Sequence, residues 1–208
     1  MVKNIFSCAI VLNGDVDNIE IKEEYKIFTD GAINKNKNIK CDVLIGDMDS
    51  STNIENINCE KIYLPTKKDY TDGEKAIRFA YEKGIKNISI YNYRGGRSDH
   101  FYSNLSLLKI AKELNVNCKL VSSIESIYYF QEGETVNLDV EKNSFVSIIP
   151  YSDYVVVDNS NGLYYPLNNL KIPRDSTLGN SNFATKSHIS FKIIQNSAFI
   201  FIDTEKQS

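Results

Sequence analysis

The stretch CDVLIGDMDSS, residues 41–51, joins a short apolar run to two closely spaced acidic residues. Residues 43–45 predict a buried strand, and Gly46 is expected to end it. Asp47 and Asp49 follow with one residue between them. Neighbouring carboxylates repel each other, so a pair at the exit of a buried strand favours a bound cation. The stretch therefore predicts a core strand and, where it surfaces, a site for a cationic ligand.

Strand-like runs continue on both sides of this segment. Short apolar runs occur at 5–12, 26–29, 43–46, 61–64, 86–91 and 118–122. Two helical patterns lie between them. The first is TDGEKAIRFAYEKG, for which Thr71 and Glu74 predict a capping box and Gly84 a C-terminal stop. Its inner face is expected to hold Ala76, Ile77, Ala80 and Tyr81. The second pattern runs from about Asp99 to Leu114, with Phe101, Leu105, Leu108 and Ala111 on one side. Strands that alternate with helices predict an α/β fold with a mostly parallel sheet and helices on its faces.

The pattern changes after about residue 123, where helical periodicity ends. FVSIIPY, YVVVD, HISFKII and SAFIFID are short runs of β-branched and aromatic residues, separated by Asn, Asp, Gly and Pro. Such runs predict a small antiparallel β-sandwich. The sequence thus predicts two domains, an α/β domain over 1–124 and an all-β sandwich over 125–208.

The composition is ordinary for a globular protein and excludes several function classes. Of 208 residues, 42% are hydrophobic and 25% are charged, and the net charge is −3. An acidic chain has no general attraction to nucleic acid or anionic membranes, and no run is apolar enough to span a bilayer. The four cysteines are scattered and form no C-x-x-C pair, which favours reduced thiols in a cytoplasmic protein.

Acidic residues follow each of four successive predicted strands. Asp30 follows the second, Asp47 and Asp49 the third, Asp69 and Asp72 the fourth, and Asp99 the fifth. In a parallel sheet these exits meet at one edge, where ligands bind. Short carboxylates in loops suit Mg²⁺, which keeps waters that a phosphate can replace.

The segment RGGRSDH, residues 94–100, adds the groups that a phosphate needs. Gly95 and Gly96 allow backbone N–H groups to approach closely, and Arg94 and Arg97 add positive charge. Asp99 follows, and His100 could contact a phosphate or cap a helix. Each piece alone also fits a turn or a helix cap, but their joint placement predicts a site for a magnesium nucleotide.

Three blocks, DVLIGDMDS, DYTDGEKA and YRGGRSDH, occur in this order, with TDGAIN upstream and GLYYPL (162–167) and GNSNFA (179–184) downstream. In order and spacing, the set resembles the signature blocks of the thiamine pyrophosphokinase family over nearly the whole chain. The resemblance implies transfer of a pyrophosphoryl group from ATP to the hydroxyl of thiamine, with Mg²⁺, to give thiamine diphosphate and AMP. It also implies a homodimer with its sites between subunits, the first domain holding ATP and magnesium and the second holding thiamine.

The resemblance extends to individual positions. The expected catalytic set is Asp47, Asp49, Asp69, Asp72, Arg97 and Asp99, and the expected metal ligands are Asp47, Asp49, Asp72 and Asp99. Contacts to the nucleotide are expected from Asp30, Gly95, Gly96, Arg97 and His100, and contacts to thiamine from Tyr165, Ser181 and Asn182. Two positions depart from the family pattern: Ala32 replaces the second glycine of the block that begins at Asp30, and Tyr165 stands where many members have Trp.

Three other functions fit parts of the pattern. A pyrophosphokinase for another heterocyclic alcohol, such as a hydroxymethylpterin, would share the acidic blocks but not the acceptor-side blocks. A non-enzymatic nucleotide or metabolite sensor would not need the full acidic set. A magnesium-dependent phosphohydrolase would release different products. The sequence does not choose which carboxylate accepts the hydroxyl proton.

Overall fold

The structure is a computed structural model that describes residues 6–51 and 54–203. The chain divides into two compact units between Ser122 and Ser123. No α-helix within the described residues is long and apolar enough to cross a membrane.

The first unit contains a parallel sheet. Its strands are β1 (Ser7–Val11), β2 (Tyr25–Thr29), β3 (Val43–Gly46), β4 (Glu60–Tyr63), β5 (Asn87–Tyr91) and β6 (Asn117–Val121). They lie in the order β6-β5-β1-β2-β3-β4, and each neighbouring pair is parallel. The predicted parallel sheet is confirmed, and the stretch that begins at residue 41 forms a fully buried strand within it.

The helices of this unit are α1 (Ala32–Lys35), α2 (Asp72–Glu82) and α3 (Ser98–Glu113). Thr71 caps α2, since its hydroxyl accepts a hydrogen bond from the Glu74 N–H at 3.2 Å. The Glu74 carboxylate accepts hydrogen bonds from Arg78 one turn later, so the Thr71 half of the predicted capping box is the half that the structure shows. Gly84 follows the helix with a φ of +79°, which explains the stop there.

The inner face of α2 differs at one position from the predicted face. Ala76, Ile77 and Ala80 are buried as expected, but Tyr81 is 43% exposed and Phe79 is buried in its place. The predicted inner face was therefore wrong at Tyr81. Phe79 and Tyr81 lie on either side of Ala80 around the helix. The buried face extends toward Phe79, whereas the prediction extended it toward Tyr81.

The second unit is a sandwich of two antiparallel sheets. One has the order β12-β9-β14-β7 and the other the order β11-β10-β13-β8. Their strands are β7 (Glu125–Gln131), β8 (Thr135–Asp139), β9 (Phe145–Pro150), β10 (Tyr154–Asn161), β11 (Leu170–Pro173), β12 (Asn182–Phe183), β13 (His188–Gln195) and β14 (Ser197–Asp203). One apolar core contains inward residues of both sheets, among them Val146, Val155 and Phe191. The predicted sandwich is confirmed.

The order of the parallel sheet fixes where a ligand fits. From β1 the chain proceeds to β2, β3 and β4 on one side, and then returns to β5 and β6 on the other. The direction of winding therefore reverses at β1 and β5, and the loops that leave these strands diverge. A crevice opens at such a point beyond the carboxyl ends of the strands.

Candidate active site

Three carboxylates meet at the carboxyl edge of the parallel sheet. One oxygen from each of Asp30, Asp47 and Asp49 lies within 4.8 Å of the other two. Asp30 is 8% exposed, whereas Asp49 is exposed. The Ser51 hydroxyl donates to Asp30 Oδ1 at 3.0 Å. Hard oxygen ligands at this spacing are suited to a divalent cation such as Mg²⁺.

Local backbone geometry brings these carboxylates together. Asp30 and Met48 both have positive φ, at 27° and 64°. The chain therefore turns sharply after β2 and after β3. Met48 is buried between its acidic neighbours Asp47 and Asp49. At Gly46, an added Cβ would lie 2.8 Å from the Asp30 Cβ, so only glycine lets these two loops approach so closely.

Asp72 lies near the cluster but has its own cation. Its Oδ1 is 2.8 Å from Lys68 Nζ, and the two side chains are 23% and 11% exposed, respectively. Burial raises the pKa of Asp72, and the charges of Asp30 and Asp47 raise it further, while Lys68 opposes the shift. Burial disfavours the charged form of Lys68, but its pair with Asp72 raises the pKa overall.

The RGGR segment forms the loop between β5 and α3. Gly95 and Gly96 have φ of 102° and 68°, which side chains rarely adopt. Arg97 Nε donates to Asp99 Oδ1 at 3.1 Å, and this hydrogen bond lowers the pKa of the exposed Asp99 carboxyl. Asp99 thus acts within its own loop and at the first turn of α3, where its other contact is the His100 N–H.

A cavity of ≈ 540 Å³ lies at this edge, and small-molecule sites are commonly about 300–1,000 Å³. It is lined by residues from five loop regions: Leu12, Asn13, Gly14, Thr29, Asp30, Ser50, Lys68, Thr71, Asp72, Gly73, Tyr93, Arg94, Gly95, Gly96, Arg97, His100, Ser103 and Asn104. The cavity brings the carboxylate edge and the glycine loop of this unit into one site.

The exit of β1 also belongs to this site, and the sequence reading missed it. Gly14 N–H donates to the Asn92 carbonyl at 3.0 Å, and Asp15 N–H donates to the Arg94 carbonyl at 2.7 Å. A Cβ on Gly95 would lie 2.1 Å from the Asp15 carboxyl carbon. The Asn13-Gly14 pair after the first apolar run was the available signal for this loop. Lys68, which lies beside Asp69 in another loop, is a further lining residue that the sequence analysis missed.

The predicted residues are not all equally placed. Asp30, Asp72, Gly95, Gly96, Arg97 and His100 line the cavity, and Asp47 and Asp49 join its edge through Asp30. Asp69 is exposed and does not appear in the lining. Asp72 and Asp99, which were predicted as metal ligands, each pair with a cationic side chain.

The residues that were predicted to contact thiamine lie at an aromatic corner of the second unit. Tyr164 stacks on Phe183 with ring centroids 4.4 Å apart, and Tyr165 meets Tyr164 edge to face at 4.9 Å. Tyr165 is 59% exposed. The Asn182 amide accepts from the Tyr165 N–H at 3.0 Å and donates to the Tyr165 carbonyl at 2.8 Å. Asn182 therefore holds the backbone that presents Tyr165, and Phe183 is a contact that the sequence reading missed.

Ser181 lies beside this corner. It is exposed, has a φ of 59°, and its N–H donates to Ser147 Oγ at 3.0 Å. This backbone bond leaves the role of its hydroxyl a prediction.

The parallel sheet, the carboxylates at its edge and the glycine loop beside them define the class: an α/β protein equipped to hold a phosphate-bearing ligand. Residues 11–120 match the family model described as "Thiamin pyrophosphokinase, catalytic domain". The chain belongs to the thiamine pyrophosphokinase family.

Relatives and solved structures support this membership. The chain is 33% identical to a thiamine pyrophosphokinase of Bacillus subtilis over 168 residues, which are 77% of each chain. It is 29% identical to thiamin pyrophosphokinase 1 of Caenorhabditis elegans, over 94% of this chain and 89% of the relative. The crystal structure of the Bacillus subtilis thiamine pyrophosphokinase superimposes with a TM-score of 0.82 at 26% identity, covering 96% of this chain and 100% of the other. The Candida albicans thiamin pyrophosphokinase, at 17% identity, shares the fold with a TM-score of 0.83, over 96% of this chain and 89% of its own.

Proposed function

We propose that this chain transfers a pyrophosphoryl group from ATP to the hydroxyl of thiamine, giving thiamine diphosphate and AMP. The observation that carries the proposal is the cavity at the switch point of the sheet. It combines carboxylates, a glycine loop and cationic side chains within a family of this activity. The attacking hydroxyl forms a bond to the β-phosphorus of ATP, the bond from the β-phosphorus to the oxygen of AMP breaks, and the hydroxyl proton is released.

The donor set fits a magnesium ion. Asp30, Asp47 and Asp49 offer three hard oxygen atoms close to one another, and their mutual repulsion is relieved by a divalent cation. When bound, Mg²⁺ would neutralise phosphate charge. Asp72 and Asp99 remain candidate ligands, although each carries a lysine or arginine partner in this structure.

The other roles fall to residues of the cavity wall. Backbone N–H groups of Gly95 and Gly96, with the Arg97 guanidinium, hold phosphate oxygens and stabilise charge that develops on them. His100, at the start of α3, lines the same wall. Most of the catalytic effect would come from positioning and charge stabilisation, as in phosphoryl transfer generally. A carboxylate of the cluster accepts the hydroxyl proton.

The second unit would supply the thiamine wall. Thiamine carries a cationic thiazolium and a flat pyrimidine, both of which favour an aromatic face. Tyr165 is exposed and held by Asn182, so it presents such a face. We further propose a cytoplasmic homodimer in which the sites lie between subunits. The cysteines of the described residues are free thiols, as a reducing compartment requires.

Incubation with ATP, Mg²⁺ and thiamine tests the activity. We expect thiamine diphosphate and AMP in equal amounts, separated by chromatography and identified by mass, and no product after EDTA. Formation of ADP with thiamine monophosphate would show γ-phosphoryl transfer and contradict the proposal. Hydrolysis of ATP without a thiamine product would indicate a phosphohydrolase.

Replacement of Tyr165 tests the thiamine wall. We expect Tyr165→Ala to raise the KM for thiamine by a few-fold to tens-fold and to leave the KM for ATP nearly unchanged. The physical reason is the loss of an aromatic contact with a cation, worth roughly 0.5–2 kcal/mol. Steady-state kinetics with each substrate varied in turn measure the effect.

The matched control is Tyr154→Ala, another partly exposed tyrosine of the same unit. Equal rises in both KM values for Tyr165→Ala would indicate general damage instead.

Mixing Tyr165→Ala with Asp47→Asn tests the subunit arrangement, since hybrid dimers would recover activity if one chain supplies the carboxylates and its partner supplies the tyrosine. A dimer that exchanges subunits without recovery would place both groups in one chain.

A further inference from the structure

Lys68 is a cationic residue of the cavity wall that is not among the predicted site residues. It lies in the loop between β4 and α2, four residues before Asp72. Its side chain is 11% exposed and lines the cavity together with the glycine loop. A lysine is rarely so shielded unless it is paired, and here the partner is the Asp72 carboxylate at 2.8 Å.

The ion pair fixes the position of the ammonium group. A free lysine side chain populates many rotamers, and ordering it on ligand binding costs about 1.5–2 kcal/mol. Asp72 stands at the first position of α2, and Thr71 caps that helix, so the carboxylate is anchored to a rigid element. The tether to Asp72 therefore holds the Lys68 charge in place before any ligand arrives.

We propose that Lys68 is a further nucleotide-binding residue, whose ammonium contacts the polyphosphate of ATP, and that Asp72 is its positioning residue. This inference rests on the proposed function. A lysine ammonium carries three N–H donors, and the pair with Asp72 leaves donors for phosphate oxygens. The ammonium lies on the same cavity wall as Asp72 and faces a site that also contains Arg97. A polyphosphate would meet positive charge from both loops.

The test uses Lys68→Met in the full chain, with Lys67→Met as the matched control, because Lys67 is the exposed neighbour of the same type. We expect Lys68→Met to raise the KM for MgATP by about tenfold, equivalent to about 1.4 kcal/mol. The KM for thiamine should stay within about twofold, because the lost contact is made to ATP and not to thiamine. Lys68→Arg should recover part of the loss, and Lys67→Met should behave as wild type.

A measurement on the wild-type chain covers the case in which Lys68→Met fails to fold. Acetylation by acetic anhydride, followed by mass spectrometry, gives the rate at each lysine. MgATP should slow acetylation of Lys68 and leave that of Lys67 unchanged. The inference would be overturned if MgATP left the acetylation rate of Lys68 unchanged. It would also be overturned if a folded Lys68→Met had the wild-type KM for MgATP, or if its KM for thiamine rose equally.

The two proposals fail in different ways. If the wild-type chain makes thiamine diphosphate and Lys68→Met is unaffected, the role of Lys68 is wrong and the proposed function stands. If the wild-type chain forms no thiamine diphosphate, yet MgATP protects Lys68, the proposed function is wrong and the nucleotide contact stands.

Discussion

Asp47→Asn is expected to lower kcat by about 100-fold or more while the fold is retained. The asparagine keeps the size of the side chain and removes its charge. One oxygen each of Asp30, Asp47 and Asp49 meet within 4.8 Å, so loss of one charge would weaken the proposed magnesium site directly. Because Asp47 is only partly buried, the removed charge should not disturb the core. Turnover at saturating thiamine and ATP, across a range of Mg²⁺ concentrations, measures the effect.

Asp175→Asn is the matched control, an identical change at an exposed position of the second unit. Asp49→Asn should resemble Asp47→Asn, and both should need more Mg²⁺ for half-maximal turnover. Circular dichroism should show the wild-type spectrum for all three variants. Near-native turnover in both cluster variants would mean that the acidic pair only shapes a turn.

Local pattern was sufficient to predict the sheet. The apolar runs of the first unit each correspond to a parallel strand, and Thr71 and Gly84 mark the ends of α2 as expected. These features depend on neighbours in sequence, through apolar runs, helix capping and the backbone freedom of glycine. Parallel pairing was enough to predict that Asp30, Asp47 and Asp49 lie at one edge, because the exits of parallel strands share it.

Contacts between distant loops were beyond such a pattern. Nothing in the sequence says that Asn182 would bind the backbone of Tyr165, 17 residues earlier in the chain. The same limit explains the error at Tyr81. Helical spacing allows either Phe79 or Tyr81 to extend the buried face of α2, and the packing of the folded chain buries Phe79. The role of the β1 exit depends on the strand order, which places it beside β5 although about 75 residues of chain lie between them.

Gly14→Ala is expected to disrupt the site strongly, because the added methyl group would meet backbone atoms. A Cβ on Gly14 would lie 2.0 Å from the Asn92 carbonyl oxygen and 2.1 Å from that of Arg94. Both are backbone atoms, so neither can rotate away as a side chain would. The loop after β5 would have to shift, and the glycine loop that it carries would move with it. We expect a loss of about 3 kcal/mol in the free energy of unfolding.

For a chain of this length, that loss corresponds to a fall of about 6–12 °C in Tm, measured by differential scanning fluorimetry. The KM for ATP should rise at a temperature where the variant is still folded. Gly96→Ala is the control, because nothing lies within 4 Å of its added Cβ and its only cost is the positive φ of 68°. That strain is worth about 1 kcal/mol, so Gly96→Ala should lower Tm by about a third as much. If Gly14→Ala were no worse than Gly96→Ala, the two loops would not be packed against each other as the structure has them.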